Sequence, residues 1–154
     1  MDVTFHKYHG AGNDFVMIAL EAEISALDFQ HLAISLCDRR FGIGADGLIT
    51  LSQGEGNFDI QMVYYNADGS RSVCGNGLRC SGRAALDLGF IVKDEANVRV
   101  KTDSGILSVC PKDNGLLRVD MGAAVFDPEK VPFFGETDSS GQATLDVPGF
   151  GTVN

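Results

Sequence analysis

The grouping best suited to chemistry is VCGNGLRC, residues 73–80, where a cysteine is followed by two glycines that straddle an asparagine. Glycine weakens a helix by up to about 1 kcal/mol relative to alanine, so Gly75 and Gly77 in an opening helical turn need a local reason. Cys74 falls where loop passes into helix. There the first N–H groups lack intrahelical partners and the macrodipole presents about half a positive charge, a field that favours anions, thiolates included. Without side chains at Gly75 and Gly77, those N–H groups are open to a ligand carboxylate. The pattern predicts a proton-carrying thiol beside a carboxylate cradle; a buried cysteine at a sharp turn is the plain alternative.

The other candidates are weaker. Cys37 and Cys110 sit in apolar helix and strand patterns and Cys80 lies inside the helix, so all three read as packing residues. No cysteine pair has C-x-x-C spacing and no histidine stands close to one, which argues against a zinc site. HGAGND, residues 9–14, reads as a tight turn in which asparagine tolerates positive φ. Its second reading makes Asn13 an amide facing a polar ligand. GIGADG, residues 42–47, matches G-x-G-x-x-G, yet a helix precedes it and a strand follows, the reverse of the dinucleotide-binding order.

The elements that position these residues follow from periodicity. Strands are expected over 3–7 and 15–20, joined by HGAGND. A helix capped by Asp28 runs to about 38 with Phe29, Leu32, Ala33, Leu36 and Cys37 on one face. LITLS gives a strand after GIGADG, and Phe58, Ile60, Met62 and Tyr64 alternate with Asp59 and Gln61 as in a half-buried strand. The turn NADGS, residues 66–70, leads to Cys74 and a helix over about 76–88, stopped by Gly89. That helix is rich in small residues, so other backbones can approach it. NVRVKT, ILSVC and LLRVDM then form a meander with turns at 103–105 and 113–115. The reading is an α+β fold, a mainly antiparallel sheet curled around the small-residue helix. After Met121 the chain becomes loop-like, and the last residues resemble the start of a strand.

With 154 residues, 44% hydrophobic and 21% charged, the chain has the composition of a globular domain. Its formal charge of −9 and lack of a basic cluster argue against a nucleic-acid partner. The opening residues show no secretory pattern and no run reaches membrane-spanning length, so no membrane partner and a cytoplasmic location are expected. The four cysteines are then reduced thiols.

HGAGNDF, RRFGIGADGL, YYNADGS and CGNGLRC occur in an order and at spacings that resemble diaminopimelate epimerases. The resemblance covers residues 1 to about 121 well and the rest loosely. It implies two similar halves, each a sheet wrapped round a helix, with one cysteine from each half flanking the substrate α-carbon. One thiolate removes a proton while the opposite thiol delivers another, without pyridoxal phosphate, metal or other cofactor. By this similarity Cys74 is the first-half acid/base, Gly75 and Asn76 bind the α-carboxylate through backbone N–H groups, and Asn13 and Asn66 contact the polar ends of the amino-acid substrate.

Three departures accompany it. The loop from Asn66 to Cys74 is about one residue shorter than the family pattern, and Gly47 stands where some members carry a glutamine that touches substrate. The chain is also about half the family's length. Residues 1–121 are therefore expected to be the first domain, and 122–154 the start of a second that supplies the other cysteine. Alone, such a fragment is expected to be inactive and to pair with itself through an open strand edge as a homodimer. Two other readings remain open: a proline-racemase-like enzyme, and a non-catalytic carboxylate-binding module.

Overall fold

The structure is a computed structural model and describes residues 2–20, 24, 26–91, 97–112, 115–127, 130, 137–149 and 151–153. The chain divides into two compact units, Met1–Met121 and Gly122–Asn154.

The first unit begins with a hairpin of β1 (His6–Gly10) and β2 (Asn13–Ala19), in register with Gly10 opposite Asn13. Ala11 and Gly12 between them have φ of 55° and 89°. Positive φ at both central residues is the mark of the type I′ turn, whose twist matches the strands it joins. The first strand thus lies three residues later than expected, because the two-residue turn fixes its end. Ala11, not Asn13, takes the left-handed conformation, and Asn13 is the first residue of β2.

Helix α1 (Phe29–Cys37) is capped by the Asp28 carboxylate, which accepts from His31 N–H at 3.2 Å. It leads to β3 (Gly47–Gln53), which pairs parallel with β2, and then to β4 (Ile60–Asn66), antiparallel to β3. A two-residue strand that the sequence reading does not contain, β5 (Arg71–Ser72), pairs with the end of β4. After α2 (Gly75–Asp87), β6 (Val98–Thr102) pairs parallel with the start of β4, and β7 (Gly105–Pro111) and β8 (Leu117–Asp120) continue the meander. The expected turn at Asp113 and Asn114 lies outside the described residues. Strand order is β1-β2-β3-β4-β6-β7-β8 with β5 on β4, antiparallel except at β2–β3 and β4–β6.

The two helices cover opposite faces of this sheet. Phe15, Met17, Ile49, Leu51, Ile60, Met62 and Tyr64 pack with Leu78, Ala84 and Ala85 of α2. Val16, Ile18, Leu48 and Tyr65 pack with Phe29, Ala33 and Cys37 of α1. Successive strand residues point to opposite faces, so β2 is apolar at every position from Phe15 to Ile18 rather than alternating. Each fully buried aliphatic contributes roughly 1.5–3 kcal/mol.

The sheet curls because α2 touches both end strands, β1 and β8. Its small residues permit this: a Cβ on Gly82 would stand 2.7 Å from Val109. The helix ends in a Schellman motif, with Phe90 N–H donating to Ala85 C=O at 2.9 Å and Gly89 at φ 75°. The α+β architecture, a mainly antiparallel sheet curled around a small-residue helix, is therefore as expected.

In the second unit β10 (Gly151–Val153) lies where the last residues read as the start of a strand, and it pairs antiparallel with β9 (Leu145–Val147), which the sequence reads as loop. Asp138 organises a turn before it, accepting from Ser140 and Gln142 N–H groups at 2.8 and 3.0 Å.

Candidate active site

Cys74 is the N-cap of α2, with extended backbone (φ −128°, ψ 119°) and a half-buried side chain. Its carbonyl accepts the first helical bond, from Leu78 N–H at 2.8 Å. Its Sγ accepts from Gly77 N–H at 3.4 Å. Gly77 is glycine for packing: a Cβ there would lie 3.0 Å from Ile49 and 3.1 Å from Met62. Its N–H therefore serves the sulfur rather than standing open to a ligand. The N–H groups of Gly75 and Asn76 begin the same turn and have no acceptor within the helix.

Asn13 and Asn76 meet at the sulfur. Asn13 Oδ1 accepts from Cys74 Sγ at 3.5 Å and from Asn76 Nδ2 at 3.2 Å, and Asn76 Oδ1 accepts from Arg79. Asn13 Nδ2 donates to Asp46 Oδ2 at 2.7 Å. The starts of β2 and β3 and the end of β4 lie together, since Phe15 and Asn66 both register with Gly47. Asn66 stands there in a separate network: its Oδ1 accepts from Tyr64 OH at 2.9 Å, and its Nδ2 donates to Ser70 Oγ at 3.0 Å and Ser72 Oγ at 3.4 Å. The structure thus brings Cys74, Gly75, Asn76 and Asn13 together and holds Asn66 apart from that hydrogen-bonded group.

Five residues to which the sequence reading gives no part in the site shape it: Asp14, Arg39, Asp46, Tyr64 and Arg79. Arg39 spans Asp14 Oδ1 (2.7 Å) and Asp46 Oδ1 (2.8 Å), and Lys7 pairs with Asp14 at 2.6 Å. The Arg39 guanidinium, above all, holds the Asp14 carboxyl well below the usual carboxylate range. Asp46 is lowered too, first by the Asn13 amide. Burial pushes the Tyr64 phenol up to about 12, with the nearby Cys74 adding to the effect, so it remains a hydrogen-bond donor at neutral pH. Burial also pushes the Cys37 and Cys80 thiols up to about 11, which suits their reading as packing residues.

The lowered carboxyls make a prediction about acid. A carboxylate whose folded-state pKa is depressed contributes stability in full above its unfolded value of about 3.9 and loses it as pH falls through the folded value. Asp14 and Asp59, the latter lowered first by its hydrogen bond from Arg99, both behave this way. Urea midpoints are expected to be level near neutrality and to fall from about pH 5 downward. Asp14→Asn should flatten that slope; an unchanged slope would contradict the pairing.

The fold is that of one part of several larger proteins of known structure. It superposes with a TM-score of 0.66 on a protein described as a probable proline racemase from Agrobacterium radiobacter, 15% identical, covering 99% of this chain and 47% of that one. A phenazine biosynthesis protein of the PhzF family from Bacillus anthracis gives 0.56 at 20% identity, over 75% of this chain and 38% of that one. The sequence is more particular. The family model for diaminopimelate epimerase matches residues 5–127, and this chain belongs to that family. A diaminopimelate epimerase of Alkaliphilus metalliredigens is 39% identical over 86% of this chain and 47% of that relative. That of Nostoc punctiforme is 41% identical over 79% and 44%. The chain spans about half the length of the curated relatives it matches. Among the described residues no helix is long and apolar enough to cross a membrane.

Proposed function

We propose that this chain provides one wall of the active site of a cytoplasmic epimerase that interconverts LL- and meso-diaminopimelate in lysine and peptidoglycan-precursor synthesis. The observation that carries this reading is the half-buried Cys74 sulfur at the start of α2, bonded by Gly77 N–H and facing the Asn13 amide. The α-proton of an amino acid is very weakly acidic, so carbanion charge developing at that carbon must be met by preorganised donors. The backbone N–H groups of Gly75 and Asn76 are such donors for the α-carboxylate, at the positive end of a 13-residue helix.

In this mechanism one thiolate takes the α-proton and a thiol on the opposite face returns a different proton, inverting the centre; the two sulfurs exchange roles in the reverse direction. Cys74 is one of the pair. The other, with the groups that hold the distal amino-acid end, belongs to a second half, for which residues 122–154 are the entry. Asn13 and Asn66 contact the substrate's polar ends, and Asn66 must exchange a serine partner to do so. The chemistry calls on no cofactor. Self-association through the end strands β1 and β8 belongs to the same reading.

The test is a chimera in which this chain replaces the matching half of the Alkaliphilus metalliredigens relative. In deuterium oxide it is expected to wash label into the α-carbon of diaminopimelate and not of proline, whereas the 154-residue chain alone does neither. Label entering proline instead would transfer the reading to a proline racemase; turnover by the chain alone would remove the need for a second half.

A further inference from the structure

The two side-chain amides at the sulfur are each tied to a charged residue that does not touch it. A carboxylate can only accept hydrogen bonds and a guanidinium can only donate them. Asp46 therefore compels Asn13 to turn its NH₂ outward and its carbonyl toward Cys74. Arg79 compels Asn76 to turn its carbonyl outward and its NH₂ toward Asn13. The result is a polarised chain running from carboxylate through two amides to guanidinium, with the thiol attached at its middle acceptor. Asp46 is itself held, by Arg39 at 2.8 Å and by Asp14 N–H at 3.1 Å.

We propose that Asp46 and Arg79 are positioning residues that set which atom each amide presents to Cys74. The proposal rests on Cys74 being the reacting group and extends that reading to residues outside the site. A carbonyl aimed at the sulfur accepts its S–H and covers that side of it. An amide free to turn would present NH₂ there instead, and a loosened Asn13 would uncover the sulfur to reagent.

Alkylation by iodoacetamide, followed cysteine by cysteine in the 154-residue chain, tests this without turnover. Asp46→Ala is expected to speed labelling of Cys74 about fivefold, on the scale of one hydrogen bond. The isosteric Asp46→Asn should give a smaller change in the same direction, and Arg79→Met likewise. In an Asn13→Ala background Asp46→Ala should add nothing, because Asp46 acts through that amide. Buried Cys37 and Cys80 are the internal controls for general loosening. Unchanged Cys74 rates in the variants would overturn the proposal, as would an equal acceleration of Cys37 and Cys80 or an undiminished Asp46 effect without Asn13. If the chimera fails to exchange the α-proton while this cycle holds, the epimerase reading falls and the positioning stands; the opposite pattern removes only the positioning.

Discussion

Alanine at position 74 is expected to lower α-deuterium incorporation by the chimera about a thousandfold, within the range that general acid–base groups contribute. The loss should fall on kcat. In the proposed mechanism the carboxylate is held by the backbone N–H groups of Gly75 and Asn76, and the alanine side chain removes no part of that cradle, so KM should change less than threefold. Serine should be nearly as poor as alanine, since a hydroxyl at the same place is a far weaker acid than a thiol. Retention of a tenth or more of the exchange rate by Cys74→Ala would show that the sulfur is not the proton carrier.

The second large effect concerns stability. Gly47→Gln is expected to destabilise the protein by about 3 kcal/mol, the upper end of ordinary overpacking, and to lower Tm by roughly 10 °C. A Cβ on Gly47 would stand 2.3 Å from the Tyr64 ring and 2.6 Å from the Tyr65 carbonyl. Tyr64 has little freedom to yield: its ring meets Phe15 edge-on at 5.8 Å and its hydroxyl is bonded to Asn66. Pairing Gly47→Gln with Tyr64→Ala should recover part of the loss, because one clash is with a side chain and the other with backbone. Calorimetry on the single and double variants decides it, and a neutral Gly47→Gln would mean that Tyr64 is not fixed there. In this chain, the volume that a side chain at 47 would fill belongs to Tyr64.

What the sequence made legible was local. Asp28 before an apolar stripe, Gly89 after a helix and the alternation Ile60, Met62, Tyr64 are signals carried within a few residues, and each element formed as read. Cys74 stood out for the same reason, since its glycines adjoin it. The first strand was misplaced because Val3 and Phe5 alternate with Thr4 and His6, whereas His6 to Gly10 holds one apolar residue, Tyr8, and only pairing with β2 selects it. The two-residue β5 is too short for any period to show. Asp14, Arg39 and Asp46 read as ordinary surface charges because their partners lie up to 33 residues away and only the parallel β2–β3 pairing brings them together. Tyr64 was visible as a strand residue, but its hold on Asn66 depends on a side-chain direction that composition does not encode.

The bond between Cys74 and Asn13 joins residues 61 positions apart. No hairpin or isolated helix can assemble that contact, because it needs the start of β2 and the start of α2 to be docked on one sheet. A nascent or partly denatured chain would carry its sulfur bare, without the amide neighbours beside which the folded unit half-buries it.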